Sequence, residues 1–248
     1  MRTFVCIDDT DNLETRGTGA LASILIEHIE EKGWGKCSYI TRHQLYFHPD
    51  IPYTSHNSAM CFVIEHKDYI HDTLIDFAAD FLEKESAEGS DPGLCIAEYE
   101  NFKDYQPLIS YGLRAKKEIL TKDLAYETSK NLGIHLSEHG GTGGGVIGAL
   151  AGVGLRLTGN DGRIKGKFKF PLPGDILTVK EILDNSSIDI VQSLEGELIS
   201  ENEKIKLGEK VKAVFLNHKE VLLVYPVLNE ETGTHTWNTC IKEQLKRF

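Results

Sequence analysis

Three carboxylates fall within four positions at Asp8, Asp9 and Asp11, and a glycine-flanked threonine, Gly17-Thr18-Gly19, follows in the same stretch. Carboxylate oxygens are hard ligands that suit Mg²⁺. A glycine-flanked helix start offers an anion free backbone N–H groups and the positive end of the helix dipole. Together they fit Mg²⁺ with a polyphosphate such as that of ATP, with Asp8, Asp9 and Asp11 as both metal ligands and catalytic groups. Thr18 suits the N-cap, where its hydroxyl accepts a backbone N–H. The aspartates would also serve as turn and cap residues at a solvated strand end. Three so close together, however, repel one another unless a cation lies among them.

A second glycine cluster, Gly140-Gly141-Thr142-Gly143-Gly144-Gly145, precedes an apolar helix beginning near Val146. Gly141, Thr142, Gly143 and Gly144 read either as a cradle of backbone N–H groups for a phosphate or as a connector. The Gly-Lys-Ser/Thr ending of a Walker A loop is missing. Gly143-x-Gly145-x-x-Gly148 matches the dinucleotide fingerprint, but no acidic residue ends the next strand, so that reading is discounted. Arg42, at the end of a strand, is placed to neutralise charge on a transferring phosphoryl group. His56 and Asn57 are candidate substrate contacts, while His43, His48 and His56 as a set read as loop histidines. Arg163, Lys165, Lys167 and Lys169 alternate with apolar residues and glycine, and read as the solvated face of an edge strand.

These residues need elements to hold them. Phe4-Val5-Cys6-Ile7 reads as a strand buried on both faces, which cannot hide three charges and so releases them at its C-terminal end. A helix follows, with Ala20, Leu21, Ile24, Leu25, His28 and Ile29 on one face. Strands are expected at 37–41, 59–64 and 94–99, and helices at 68–84 and 113–132. Past Pro173-Gly174 the pattern turns to strands at 176–182, 210–216 and 221–227. The fold expected is mixed α/β: a nucleotide-binding core over 1–58 and 134–170, a ferredoxin-like insertion over 59–133, and a small β-rich domain over 171–248.

Ile7-Asp8-Asp9-Thr10-Asp11 at the end of a first strand resembles the archaeal tRNA-isoleucine agmatinylcytidine synthetase family, whose kinase-like domain opens this way. Pro49-Asp50-Ile51-Pro52-Tyr53 with Asn57-Ser58-Ala59, and Gly145-Val146-Ile147-Gly148-Ala149-Leu150-Ala151, are similar to two further motifs of that family. The resemblance implies a kinase-like core with a ferredoxin-like domain, ATP and Mg²⁺. It also implies activation of a cytidine carbonyl oxygen as a phosphate ester, which an amine then displaces. It favours phosphate contact by the second glycine cluster. Departures accompany it. The family's Cys-Thr-Thr reads Gly17-Thr18-Gly19, its Lys-Thr-Arg-Gly-Asn shortens to Thr54-Ser55-His56-Asn57, and its zinc ribbon has no cysteines here.

The chain has 248 residues and a net charge of −11, which opposes a general electrostatic grip on nucleic acid. Five dispersed cysteines without a Cys-x-x-Cys pair indicate neither disulfides nor zinc, as in a reducing cytoplasm. No secretory signal or membrane span is expected. The reading favoured by sequence is therefore an Mg²⁺- and ATP-dependent phosphotransferase or ligase acting on a small-molecule acceptor. A tRNA-modifying enzyme ranks second, with tRNA disfavoured as a partner. A non-catalytic nucleotide sensor ranks third, and a homodimer is left open.

Overall fold

Val5, Cys6 and Ile7 have no exposed surface, because the strand that holds them, β1 (Arg2–Asp8), is the middle of a sheet covered on both sides. The computed structural model describes residues 1–51, 57–166, 170, 173–228, 235–246 and 248. His56, Lys167 and Lys169 therefore lie outside the described residues. The chain divides into two units, Met1–Thr158 and Gly159–Phe248.

In the first unit β1 pairs antiparallel with β4 (Ser58–Glu65) and with β5 (Gly93–Glu98). Next to β4 lie β2 (Lys36–Cys37) and β3 (Thr41–Gln44), and next to β5 lies β6 (His135–Glu138), giving the order β6-β5-β1-β4-β3. The run β1, α1 (Thr18–Glu31), β3, β4, α2 (His71–Glu85), β5 has the ferredoxin-like β-α-β-β-α-β order. Residues 59–133 supply most of β4, then α2, β5, α3 (Gln106–Ala115) and α4 (Lys122–Leu132).

The period of two in β1 sorts its side chains between two cores. Val5 and Ile7 face α1 and α2, against Leu21, Ala22, Leu25, Ile29, Leu74 and Ala78. Phe4 and Cys6 face the other way, against α5 (Gly145–Leu157), which is packed in turn by Leu108 and Tyr111 of α3 and Ala125 of α4. α5 lies close to the sheet because its inner positions are glycines: a Cβ at Gly152 would fall 3.0 Å from the Ala59 Cβ, and one at Gly148 would strike the Asp8 carboxylate. Two of the three glycines of the apparent dinucleotide fingerprint, Gly145 and Gly148, are thus positions where α5 packs on the sheet.

The single helix expected over 113–132 is two. Thr121 caps α4 by accepting the N–H of Leu124 at 3.3 Å, and Gly133 ends it in the left-handed region at φ 65°. The strand expected over 37–41 is interrupted at 38–40, so Arg42 and His43 lie inside β3.

The second unit contains β7 (Arg163–Ile164), β8 (Ile176–Thr178), α6 (Val179–Asp184), β9 (Ile190–Ser193), β10 (Lys204–Lys206), β11 (Ala213–Leu216), β12 (Lys219–Leu228) and β13 (His235–Thr239). β12 is central, with β11 and parallel β9 along its first half and β13 along its second. Arg163 is buried rather than on a solvated face. The strand expected over 176–182 stops at Thr178, because Thr178 and Glu181 form a reciprocal capping box that starts α6. Thr178→Ala is expected to cost about 1 kcal/mol, read as a lower urea midpoint at unchanged slope. An unchanged midpoint would mean that the cap contributes nothing.

Candidate functional site

The antiparallel pairing places Asp8 opposite Gly93 and Gln44 opposite Ser58, so the end of β1 adjoins the starts of β5 and β4. α1 and α5 begin at that same edge. A cavity of about 380 Å³ opens there, lined by Asp8, Asp9, Asp11, Gly17, Thr18, Gly19, Arg42, Asn57, Asp91, Gly144 and Gly145, with Leu45, Ile51, Met60, Ile119, Leu120 and Ile147 as its apolar wall. The two glycine-rich helix starts, far apart in sequence, thus share one cavity with the aspartates.

Asp8 does not emerge into solvent. It remains the last residue of β1 on the α5 face, 8% exposed, beneath Gly148. Burial, followed by the charges of Asp9 and Asp11, pushes its carboxyl up to about 8. Asp9 leaves the strand with a left-handed φ of 51°, and burial with the charges of Asp91 and Asp11 raises it to about 6. Asp11 is held by Thr18, whose hydroxyl donates to Asp11 Oδ1 at 2.8 Å and accepts the N–H of Thr10 at 3.4 Å. Gly17, not Thr18, is the N-cap of α1, and no side chain caps it. The N–H groups of Ala20 and Leu21 go to Gly17 O, which leaves those of Thr18 and Gly19 at the helix start without an intrahelical partner, and both residues line the cavity.

Six of the lining residues are acidic (Asp8, Asp9, Asp11, Asp50, Asp91 and Glu118), against one arginine. Among the described residues no three His, Cys, Asp or Glu side chains close on a single metal position. Asp8 turns beneath Gly148 and Asp11 toward Thr18, and all three aspartates line the cavity.

The second glycine cluster is built around Asp91, a residue that sequence reasoning passed over as part of a loop. Asp91 accepts the Thr142 N–H at Oδ1 and the Thr142 hydroxyl at Oδ2, the latter at 2.8 Å, and its backbone oxygen accepts the Gly145 N–H at 3.0 Å. Gly143 donates to Gly140 O at 3.2 Å. The run of consecutive free N–H groups is therefore largely used internally. Gly141, Thr142 and Gly143 are not among the lining residues, and Gly144 is. On the outer side, Lys122 Nζ donates to Glu138 Oε2 at 2.5 Å and to Thr142 O at 2.6 Å.

Arg42 lines the cavity and its Nε donates to Ser58 Oγ at 2.9 Å. Asn57 also lines it, with its side-chain amide donating to Tyr46 O at 2.8 Å, so it braces the loop start. His43 is buried in β3 against Thr41 at 2.7 Å rather than in a loop, and His48 stacks on Tyr46.

No protein-family model matches the chain. Over 158 residues it is 27% identical to TiaS of Methanosarcina acetivorans, a 2-agmatinylcytidine synthetase for an isoleucine tRNA; the match covers 62% of this chain and 36% of that protein. The complex of TiaS with its isoleucine tRNA and ATP superposes with a TM-score of 0.55 at 30% identity, over 62% of this chain and 36% of the other. The complex of TiaS with the same tRNA, AMPCPP and agmatine does so with 0.53 at 25% identity, over 74% and 44%. Over this part, the chain is TiaS-like. It spans about a third of the length of the curated relative it matches. The expectation that tRNA is disfavoured is thereby corrected, since the matched proteins are a tRNA synthetase and its complexes with tRNA. Net charge does not decide the matter, because it sums the whole chain, whereas affinity for nucleic acid depends on local cations. Among the described residues no helix is long and apolar enough to cross a membrane.

Proposed function

We propose that residues 1–158 form the nucleotide half of an ATP-dependent tRNA-modifying enzyme of the TiaS kind. The observation that carries this is the convergence of the Asp8–Asp11 turn, both glycine-rich helix starts and Arg42 on one cavity. The first-turn N–H groups of Thr18 and Gly19 and the N–H of Gly144 bind phosphate oxygens. Arg42 stabilises the negative charge that builds on the transferring phosphoryl group. The apolar wall takes the flat face of a base.

Crowded carboxylates with raised pKa values fit a divalent cation among them. Mg²⁺ keeps several waters and typically uses one or two carboxylates plus phosphates, so Asp9 and Asp11, with Asp8 behind them, would hold it without a closed protein cage. When bound, it supplies charge neutralisation on the phosphates. Asp8 holds a proton in the metal-free state and would give it up as the cation binds.

ATP consumption by the whole chain, measured with Mg²⁺ and either tRNA or a pool of small metabolites, tests the reading. Stimulation by tRNA is expected, strongest at low salt. Stimulation by metabolites and not by tRNA would overturn it.

A further inference from the structure

We propose that Lys122 is a positioning residue of the nucleotide site: by holding the Thr142 carbonyl from outside the glycine loop, it turns the Gly144 amide toward the phosphate chain. This rests on the nucleotide reading above. Positions 140–145 contain five glycines, which leave the backbone little preference of its own. The loop's conformation must therefore be imposed from outside, and Thr142 is where that happens. Its N–H and hydroxyl are taken by Asp91 on one side, and its carbonyl by Lys122 on the other. Every polar group of Thr142 is thus pinned between two anchors of opposite charge.

The glycine at 143 makes room for the outer anchor. A Cβ there would lie 2.7 Å from Lys122 Nζ and would strike the Glu138 carboxylate, so the ion pair rests directly on loop backbone. Past this clamp, the Gly145 N–H goes to Asp91 O. Gly144, between them, has an N–H with no partner among the described residues, and it lines the cavity.

The position of Lys122 supports a role beyond helix stability. It is the first residue of α4, where the helix dipole disfavours a cation. The Glu138 carboxylate offsets that cost and aims the ammonium at Thr142 O.

Calorimetric binding of a non-hydrolysable ATP analogue with Mg²⁺ to the full chain, wild type, Lys122→Met and Lys122→Arg, tests the inference. Lys122→Met is expected to weaken binding about tenfold, the scale of one lost charge-assisted hydrogen bond, with an unchanged melting temperature. The amides of residues 141–145 should exchange faster, and Lys122→Arg should recover most of the affinity. Equal affinity of wild type and Lys122→Met would overturn the role of Lys122 and leave the nucleotide reading standing. A loss that tracks a fall in melting temperature and is not recovered by arginine would overturn it in favour of fold support. No binding by wild type would overturn both.

Discussion

Asp8→Asn and Asp9→Asn should each abolish ATP turnover, while Asp8→Asn raises the melting temperature of the metal-free protein. Asp8 is ionised in the unfolded chain above about 4, yet in the folded protein its carboxyl holds its proton up to about 8. Between these values the folded state binds the extra proton, so stability falls as pH rises through the window and levels off above it. The full displacement corresponds to roughly 5 kcal/mol, and relaxation of the turn and shared repulsion reduce it to about 3 kcal/mol. Asparagine removes this dependence. In chelator, the mutant should melt near wild type at pH 4 to 5 and on the order of 5–10 °C above it at pH 8. Added Mg²⁺ should stabilise wild type and not the mutant. A mutant that keeps wild-type turnover, or that melts below wild type at pH 8, would sink the account.

Neighbouring glycines at 144 and 145 should respond in opposite ways. A Cβ at Gly145 would strike Asp91 O and lie 2.7 Å from Gly93 N and 3.0 Å from Asp8 O, all backbone atoms that cannot step aside. Gly145→Ala should therefore prise α5 from β5 and cost about 3 kcal/mol or more, the scale of overpacking in a tight core. At Gly144 the nearest atom to a Cβ is Asp91 Oδ2 at 3.6 Å, an ordinary contact, and φ is −61°. Gly144→Val should fold normally and weaken binding of an ATP analogue sharply, because the side chain enters the cavity beside the free amide. Thermal melts and calorimetry on the pair distinguish the roles. Equal melting temperatures for the two variants would contradict the packing role of Gly145, and wild-type affinity in Gly144→Val would show that the loop does not touch nucleotide.

Local patterns were legible where their cause is local. Four apolar residues at Phe4–Ile7 marked a strand covered on both faces, and the carboxylates after it marked the site. Thr178-x-x-Glu181 is equally local, yet the apolar residues around its capping box fit a strand as well. Asp91 and Lys122 carried no sequence signal at all. One lies in a Gly/Ser/Asp loop and the other at a helix start, and they reach Thr142 across 51 and 20 positions of chain respectively.

The sequence by itself determined the mixed α/β class, the acidic turn after the first strand and the two glycine-rich helix starts, since each depends on spacing within a few residues. Tertiary structure alone decided that the turn, both helix starts, Arg42 and Asp91 face one cavity. That meeting depends on β1 lying between β4 and β5, whose pairing partners are more than fifty residues away in the chain. It also decided that Asp8 stays buried with its proton. Antiparallel pairing and the glycine face of α5 cover the strand's last residue before the chain can turn it out to water.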